Sequence, residues 1–180
     1  MKRRQSAGFT LLELIVTMVC AAILLSVGVP SYQSLIRNSR AATNANELTT
    51  AFTVARSEAV RRSAAVTVCR SNDGATCGGV WADGWIVFVD GAATEIAAPV
   101  VSQVLNVWDA PEGAAVITPR SNGGDVDITW IRFLQRGDTR TTQALPITFN
   151  MEIESCVGNV ARDIEINAVG RASVNTVACS

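Results

Sequence analysis

Residues 9–29 read FTLLELIVTMVCAAILLSVGV, 21 residues with a single charge at Glu13. At about 1.5 Å rise per residue the stretch spans about 31 Å as a helix, close to the hydrocarbon thickness of a bilayer. Lys2, Arg3 and Arg4 precede it, and no comparable basic cluster follows closely. The positive-inside rule then leaves the N-terminus in the cytoplasm and the remainder of the chain outside. Glu13 is the awkward residue. An ionisable group at bilayer depth costs about 2.5–3.5 kcal/mol on insertion scales, and a plain export signal gains nothing from it. Ser26-Val27-Gly28, a small-x-small triplet at the end of the run, supports the competing reading of a cleaved secretory signal peptide.

Gly8-Phe9-Thr10-Leu11-Leu12-Glu13, behind a short basic leader and ahead of an uninterrupted apolar run, resembles the processing motif of type IV prepilins. The resemblance implies cleavage after Gly8 by a prepilin peptidase on the cytoplasmic side, then methylation of the new N-terminal Phe9. Glu13 becomes the fifth residue of the mature chain and serves assembly. The physics agrees. The cut exposes a cationic amine on Phe9, and Glu13 of a neighbouring subunit would neutralise it inside a filament core, so that two costly groups satisfy each other. Pro30 ends the apolar run. In a helix it removes one hydrogen bond and bends the axis; otherwise it simply terminates a membrane helix.

Residues 31–63 contain no proline or glycine. Leu48, Phe52, Ala55 and Ala59 recur at spacings of four, three and four, one face of a helix. Arg56, Arg61 and Arg62 lie off that stripe. A helix is expected to about Ser63, its second half on a sheet, with alanines at 41, 42, 45, 51, 55 and 59 allowing close approach. Beyond it the texture changes to strands. The candidates are Ala65–Arg70, Trp85–Asp90, Val100–Val107, Ala115–Thr118, Asp127–Leu134, Ile147–Glu154 and Asp163–Val169. Ser71-Asn72-Asp73-Gly74, Gly123-Gly124 and Arg136-Gly137-Asp138 read as turns. The fold class is α+β: a long N-terminal helix, its first half transmembrane, packed on an antiparallel β-sheet domain. The expected segments are a leader 1–8, a membrane or filament-core helix 9–29, its amphipathic continuation 30–63 and a β-rich domain 64–180.

Trp81 with Gly84-Trp85-Ile86-Val87-Phe88-Val89-Asp90 is similar to the W…GWxVFxD segment of the GspH/FimT group of minor pilins and pseudopilins. Ile131-Arg132-Phe133 followed by Gly137, and Ile164–Asn167 with Gly170-Arg171, also fit that group. Trp81, Trp85 and Phe88 are expected in the core. The resemblance implies an α+β pilin fold and a subunit of a type IV pilus or a type II secretion pseudopilus that primes assembly at or near the tip. Its partners would be prepilin peptidase and other pilins or pseudopilins. Its place would be the inner membrane, single-pass, with the C-terminal domain in the periplasm. FimT-like minor pilins of transformable bacteria bind DNA through Gly-Arg-x-Arg. Here Gly170-Arg171-Ala172-Ser173 lacks the second arginine, so Arg171 is a DNA contact only if Arg132, Arg136, Arg140 and Arg162 converge beside it.

Composition removes other classes. The chain has no histidine, and Lys2 is its only lysine, so the commonest general base and Schiff-base chemistry are both missing. Without residues 1–8 the balance is 12 cations to 16 anions, a net charge of −4, which gives no general attraction to nucleic acid. No enzyme and no cofactor are expected. Cys20 lies in the apolar run. Cys69, Cys77, Cys156 and Cys179 allow three pairings in an exported domain, of which Cys69–Cys77 and Cys156–Cys179 join sequence neighbours and are favoured; four free thiols in a cytosolic domain are the alternative. Asn122-Gly-Gly-Asp125-Val-Asp127 holds oxygen ligands for calcium, though Asn-Gly-Gly-Asp is first of all turn chemistry.

Overall fold

The structure, a computed structural model, describes residues 9–179, the side chain of Val27 excepted. A single helix, α1 (Leu11–Arg62), is followed by β1 (Val66–Arg70), β2 (Gly84–Asp90), β3 (Val101–Asp109), β4 (Val116–Ser121), β5 (Gly124–Asp125), β6 (Trp130–Phe133), β7 (Thr139–Arg140), β8 (Ile147–Glu152), β9 (Ala161–Ile166) and β10 (Ala172–Val177). A turn of 3-10 helix covers Trp81–Asp83. The chain divides into two compact units, which meet in sequence between Ile36 and Arg37.

In the first unit the described side chains from Phe9 to Leu35 are all exposed, and the helix is long and apolar enough to cross a membrane. Some of its hydroxyls turn back on the helix. Thr17 donates to the Leu14 carbonyl at 2.8 Å and Ser26 to Ile23 at 2.7 Å, the local back-bonding that helix hydroxyls adopt. Pro30 lies inside α1 and withholds one donor from the ladder.

In the second unit α1 buries Ala41, Ala45, Leu48, Ala51, Phe52, Ala55 and Ala59, the stripe that the sequence spacing predicts. Ser63, at φ 51°, ends the helix, and the Ala64 amide closes back on the Ala59 carbonyl at 3.3 Å. The β region is two sheets rather than one, each of five strands. The first runs β3-β2-β1-β6-β7 and the second β10-β9-β8-β4-β5. All pairings are antiparallel. Phe52 joins them under the helix: its ring lies 6.4 Å from Phe133 of the first sheet and 5.3 Å from Phe149 of the second. Trp81 crosses over as well. It stacks edge-on with Phe149 at 5.0 Å and donates its indole N–H to the Ile128 carbonyl at 2.6 Å.

Every strand read from the sequence is present, with shifted ends. β4 extends to Ser121 where Ala115–Thr118 was expected, and β6 is shorter than Asp127–Leu134. Strand β10 was not anticipated. Its sequence ASVNTV has little apolar alternation because it lies at a sheet edge with Val174, Asn175 and Thr176 exposed. Ser71–Gly74, read as a turn, does not by itself join β1 to β2. It opens a longer connection, in which the Asp73 carboxylate accepts from the Ala75 and Thr76 amides, both at 2.8 Å.

Candidate assembly segment and the motif residues of the β-domain

Gly8, the expected cleavage site, lies outside the described residues. Phe9 is 79% exposed. Glu13 stands in the first turn of α1, where negative charge suits the helix dipole, and its backbone N–H donates to the Thr10 hydroxyl at 3.2 Å. Thr10-Leu11-Leu12-Glu13 is therefore also a helix-start signal of the Ser/Thr-x-x-Glu kind, legible in the sequence but not used in reading it. Among the described residues the Glu13 carboxylate, exposed on an apolar helix, has no partner. Cys20 is a free, exposed thiol on the same helix. Cys69 is bonded to Cys77 and Cys156 to Cys179, with Cα separations of 5.6 and 5.7 Å.

The W…GWxVFxD residues divide between the faces of the first sheet. Trp85 and Val87 join the main core with α1. Ile86 and Phe88 face the other way, where they pack with Cys69 and Trp130. Asp90 ends this outer row and is buried. Its carboxylate accepts from the Thr67 hydroxyl at 2.6 Å, from the Ala92 and Val100 amides at 2.9 Å each, and from Arg132 at 2.7–2.8 Å. Burial pushes this carboxyl up, but the bonds from Thr67, Val100, Ala92 and Arg132 outweigh it and hold the group below its usual range. Arg132 is 1% exposed. It stacks on Trp130 at 4.6 Å and donates to the carbonyls of Thr94, Glu95 and Ala97 at 2.6–3.0 Å. The pair thus fastens the 91–100 connection over the outer face of the sheet. The sequence reading offered Arg132 as one of four arginines that would converge beside Arg171; it is instead buried in the first sheet. The signal against that was its place in the large apolar run Trp130-Ile131-Arg132-Phe133, which reads as a strand buried on both faces and is so in the structure.

The glycines of the two later motifs meet. The turn at Gly137 joins β6 to β7 and that at Gly170 joins β9 to β10. A methyl group at Gly170 would overlap the Gly137 carbonyl oxygen, and φ is +77° there. Arg56 of α1 donates to that same carbonyl at 3.2 Å, while the Thr139 amide bonds Ala168 O at 2.9 Å and the Thr139 hydroxyl bonds Asn167 O. Helix and both sheets are tied at this point. Gly84 also approaches a backbone carbonyl closely, since a methyl there would overlap the Trp108 carbonyl oxygen of β3.

The supplementary arginines do not form one patch. Arg132 is paired inside the first sheet. Arg162, 8% exposed, bonds Asn38 at 2.6 Å, and Arg140 pairs with Glu95 at 3.0 Å and Asp138 at 2.9 Å. Arg136 and Arg171 are exposed beside the Gly137 and Gly170 turns. Of the oxygen ligands in the 122–127 stretch, Asp125 pairs with Arg120 at 2.9 Å and Asp127 with Arg70 at 2.7 Å. Among the described residues no cluster of three or more His, Cys, Asp or Glu could hold a metal.

Residues 44–170 match the family model described as "Type II transport protein GspH", and residues 3–29 match the "Prokaryotic N-terminal methylation motif". The fold is similar to crystal structures of the type IV minor pilin FimU of Pseudomonas aeruginosa (strain PAO1). One superposes with a TM-score of 0.56 at 19% identity, covering 76% of this chain and 89% of that one. A second crystal form gives 0.53 at 20% identity, covering 74% and 90%. No curated protein matches the chain. With its family model spanning more than half of the sequence and a methylation motif ahead of it, the chain belongs to the GspH/FimT family of minor pilins and pseudopilins.

Proposed function

We propose that the chain is made as a prepilin, held in the inner membrane by residues 9–29 with its β-domain in the periplasm. Prepilin peptidase cuts after Gly8, Phe9 is N-methylated, and the subunit enters a type IV pilus or a type II secretion pseudopilus. There it sits at or near the tip and primes assembly among other pilins. One observation carries this reading: Glu13 is the only charge in the exposed apolar stretch 9–29, and it has no partner among the described residues. A carboxylate placed there is costly until a cation meets it, and the amine freed at Phe9 of a neighbouring subunit is such a cation. The bend or local melting expected at Pro30 would let the exposed helix adapt to its neighbours.

N-terminal mass spectrometry of the mature protein tests the reading. A chain beginning at methylated Phe9 is expected, and a chain beginning at residue 29 or later overturns it. A clean deletion scored in parallel for secretion, twitching motility and transformation separates the machines. The work is assembly, not catalysis. DNA uptake is the weaker reading, because two of its four supplementary arginines are buried and a third is ion-paired. Retardation of DNA by the protein at low salt, lost as salt rises, would restore it.

A further inference from the structure

The four lateral edges of the two sheets are not alike. An exposed edge offers unpaired backbone groups to any passing strand, and folded proteins guard such edges with shortness, bulges, charge or proline. Edges β5 and β7 are two residues long each. Edge β3 is nine residues long but carries two register shifts against β2 and ends on Asp109. Edge β10 has none of these guards. Its six residues, ASVNTV, include no charge and no proline, and they pair with β9 in unbroken register from Ala172↔Ile166 to Val177↔Ala161. Both ends are pinned. At its start the Asn167 amide bonds the Arg171 carbonyl at 3.1 Å. At its far end lie the Cys156–Cys179 disulfide and the bond from the Cys179 amide to the Gly158 carbonyl at 2.9 Å.

Which groups point outward follows from that first bond. In an antiparallel pair alternate residues turn both backbone groups toward the neighbour. Arg171 faces β9, so Ser173, Asn175 and Val177 do too, and Ala172, Val174 and Thr176 present their N–H and C=O groups to the open side. The side chains sort likewise. Ala172 packs on the main core, and with it Val174 and Thr176 take the inner face. Ser173 and Asn175 lie on the outer face, opposite Glu165 and Asp163 of β9. Neither carboxylate is in an ion pair among the described residues; Asp163 accepts one bond, from Asn150 at 2.8 Å. An added strand would lie about 10 Å from β9, two strand spacings, and the short Ser173 and Asn175 side chains leave that gap open to a long cationic side chain.

We infer that the open edge of β10 is a docking site for an extended segment of another protein whose residues alternate apolar and basic. The apolar set continues the inner face beside Val174, and the basic set reaches Glu165 and Asp163. A second copy fits less well, because neither of the long edge strands, β10 or β3, has a basic residue to offer. This inference stands apart from the filament reading. It concerns the folded β-domain, and processing at Gly8 does not enter its test.

The test uses the full chain in detergent micelles and a fluorescent eight-residue peptide of alternating valine and lysine. Saturable binding is expected, with amide hydrogen exchange slowed at Ala172, Val174 and Thr176 and unchanged at Ser173 and Asn175. Val174→Pro, which removes an outward donor at an edge that tolerates proline, should weaken binding about tenfold or more. Asn175→Lys, which leaves the backbone intact, should do likewise by repelling the peptide, and Glu165→Lys should shift preference to a valine–glutamate peptide. Absence of binding at millimolar peptide overturns the inference. So does equal binding of the valine–glutamate peptide by the unaltered protein, or binding that survives both Val174→Pro and Asn175→Lys. Protection of the same three amides that grows with protein concentration without peptide would show a second copy to be the occupant, and overturns it too.

Discussion

Asp90→Asn would remove one charge from a buried pair while keeping the side chain's shape. The new amide oxygen can still accept from the Ala92 and Val100 amides. Its NH₂, however, faces the Arg132 guanidinium, which has no acceptor, so donor meets donor there, while the Thr67 hydroxyl can turn to accept. Arg132, with its side chain 1% exposed, keeps three carbonyl partners but loses its counter-charge. Breaking one side of a buried pair costs about 3–5 kcal/mol, because the survivor stays desolvated. For a domain of this size that is a fall in Tm of about 10 °C. Denaturant unfolding of the full chain in micelles, followed by tryptophan fluorescence, reads the change. Arg132→Met should be comparably harmful, and the double variant should be less harmful than the two losses added together. A loss below about 1 kcal/mol for Asp90→Asn, or strict additivity, would refute the claim that this pair holds the 91–100 connection in place.

Acid should act through the same carboxylate. Asp90 is held below its usual range, so its contribution is complete above the unfolded value of about 3.9 and disappears as pH falls through the folded one. Unfolding curves at pH 7, 4 and 3 should show a drop that Asp90→Asn flattens. Gly170→Ala should destabilise by about 3 kcal/mol or more, since its methyl meets the Gly137 carbonyl rather than a movable side chain, and thermal melts check this. Removing Cys156–Cys179, which closes the longer loop at a separation of 23, should cost about 3.5 kcal/mol by chain entropy, against about 2.6 for Cys69–Cys77 at a separation of 8. Glu13→Val should leave the protein in the membrane and abolish its recovery in sheared filaments, measured by immunoblot.

The helix and most strands were legible because their signals are local. The alanine and leucine stripe of α1 follows a 3.6-residue period, and WIVFVD is a run too apolar to be anything but a strand between two covered faces. Sheet order was not legible, because it depends on which strands meet across long connections. The second sheet and the edge strand β10 were missed for that reason, the latter also because an exposed edge needs no apolar alternation. Asp90 and Arg132 were visible as residues but not as a pair. Both were charges set in buried strands, and such charges demand a partner; only the fold shows that 42 residues of separation close to a direct bond. Glu13 is the opposite case. Its oddity is plain in the sequence, and the described chain adds a cap at its amide but no partner for its carboxylate.

The contact of Arg56 with the Gly137 and Gly170 turns has a mechanical consequence. Tension applied along α1 enters the β-domain where one helix residue grips a carbonyl that the other sheet's turn presses against. A pull on the helix at Arg56 therefore bears on the turns of both sheets at once rather than on one sheet alone.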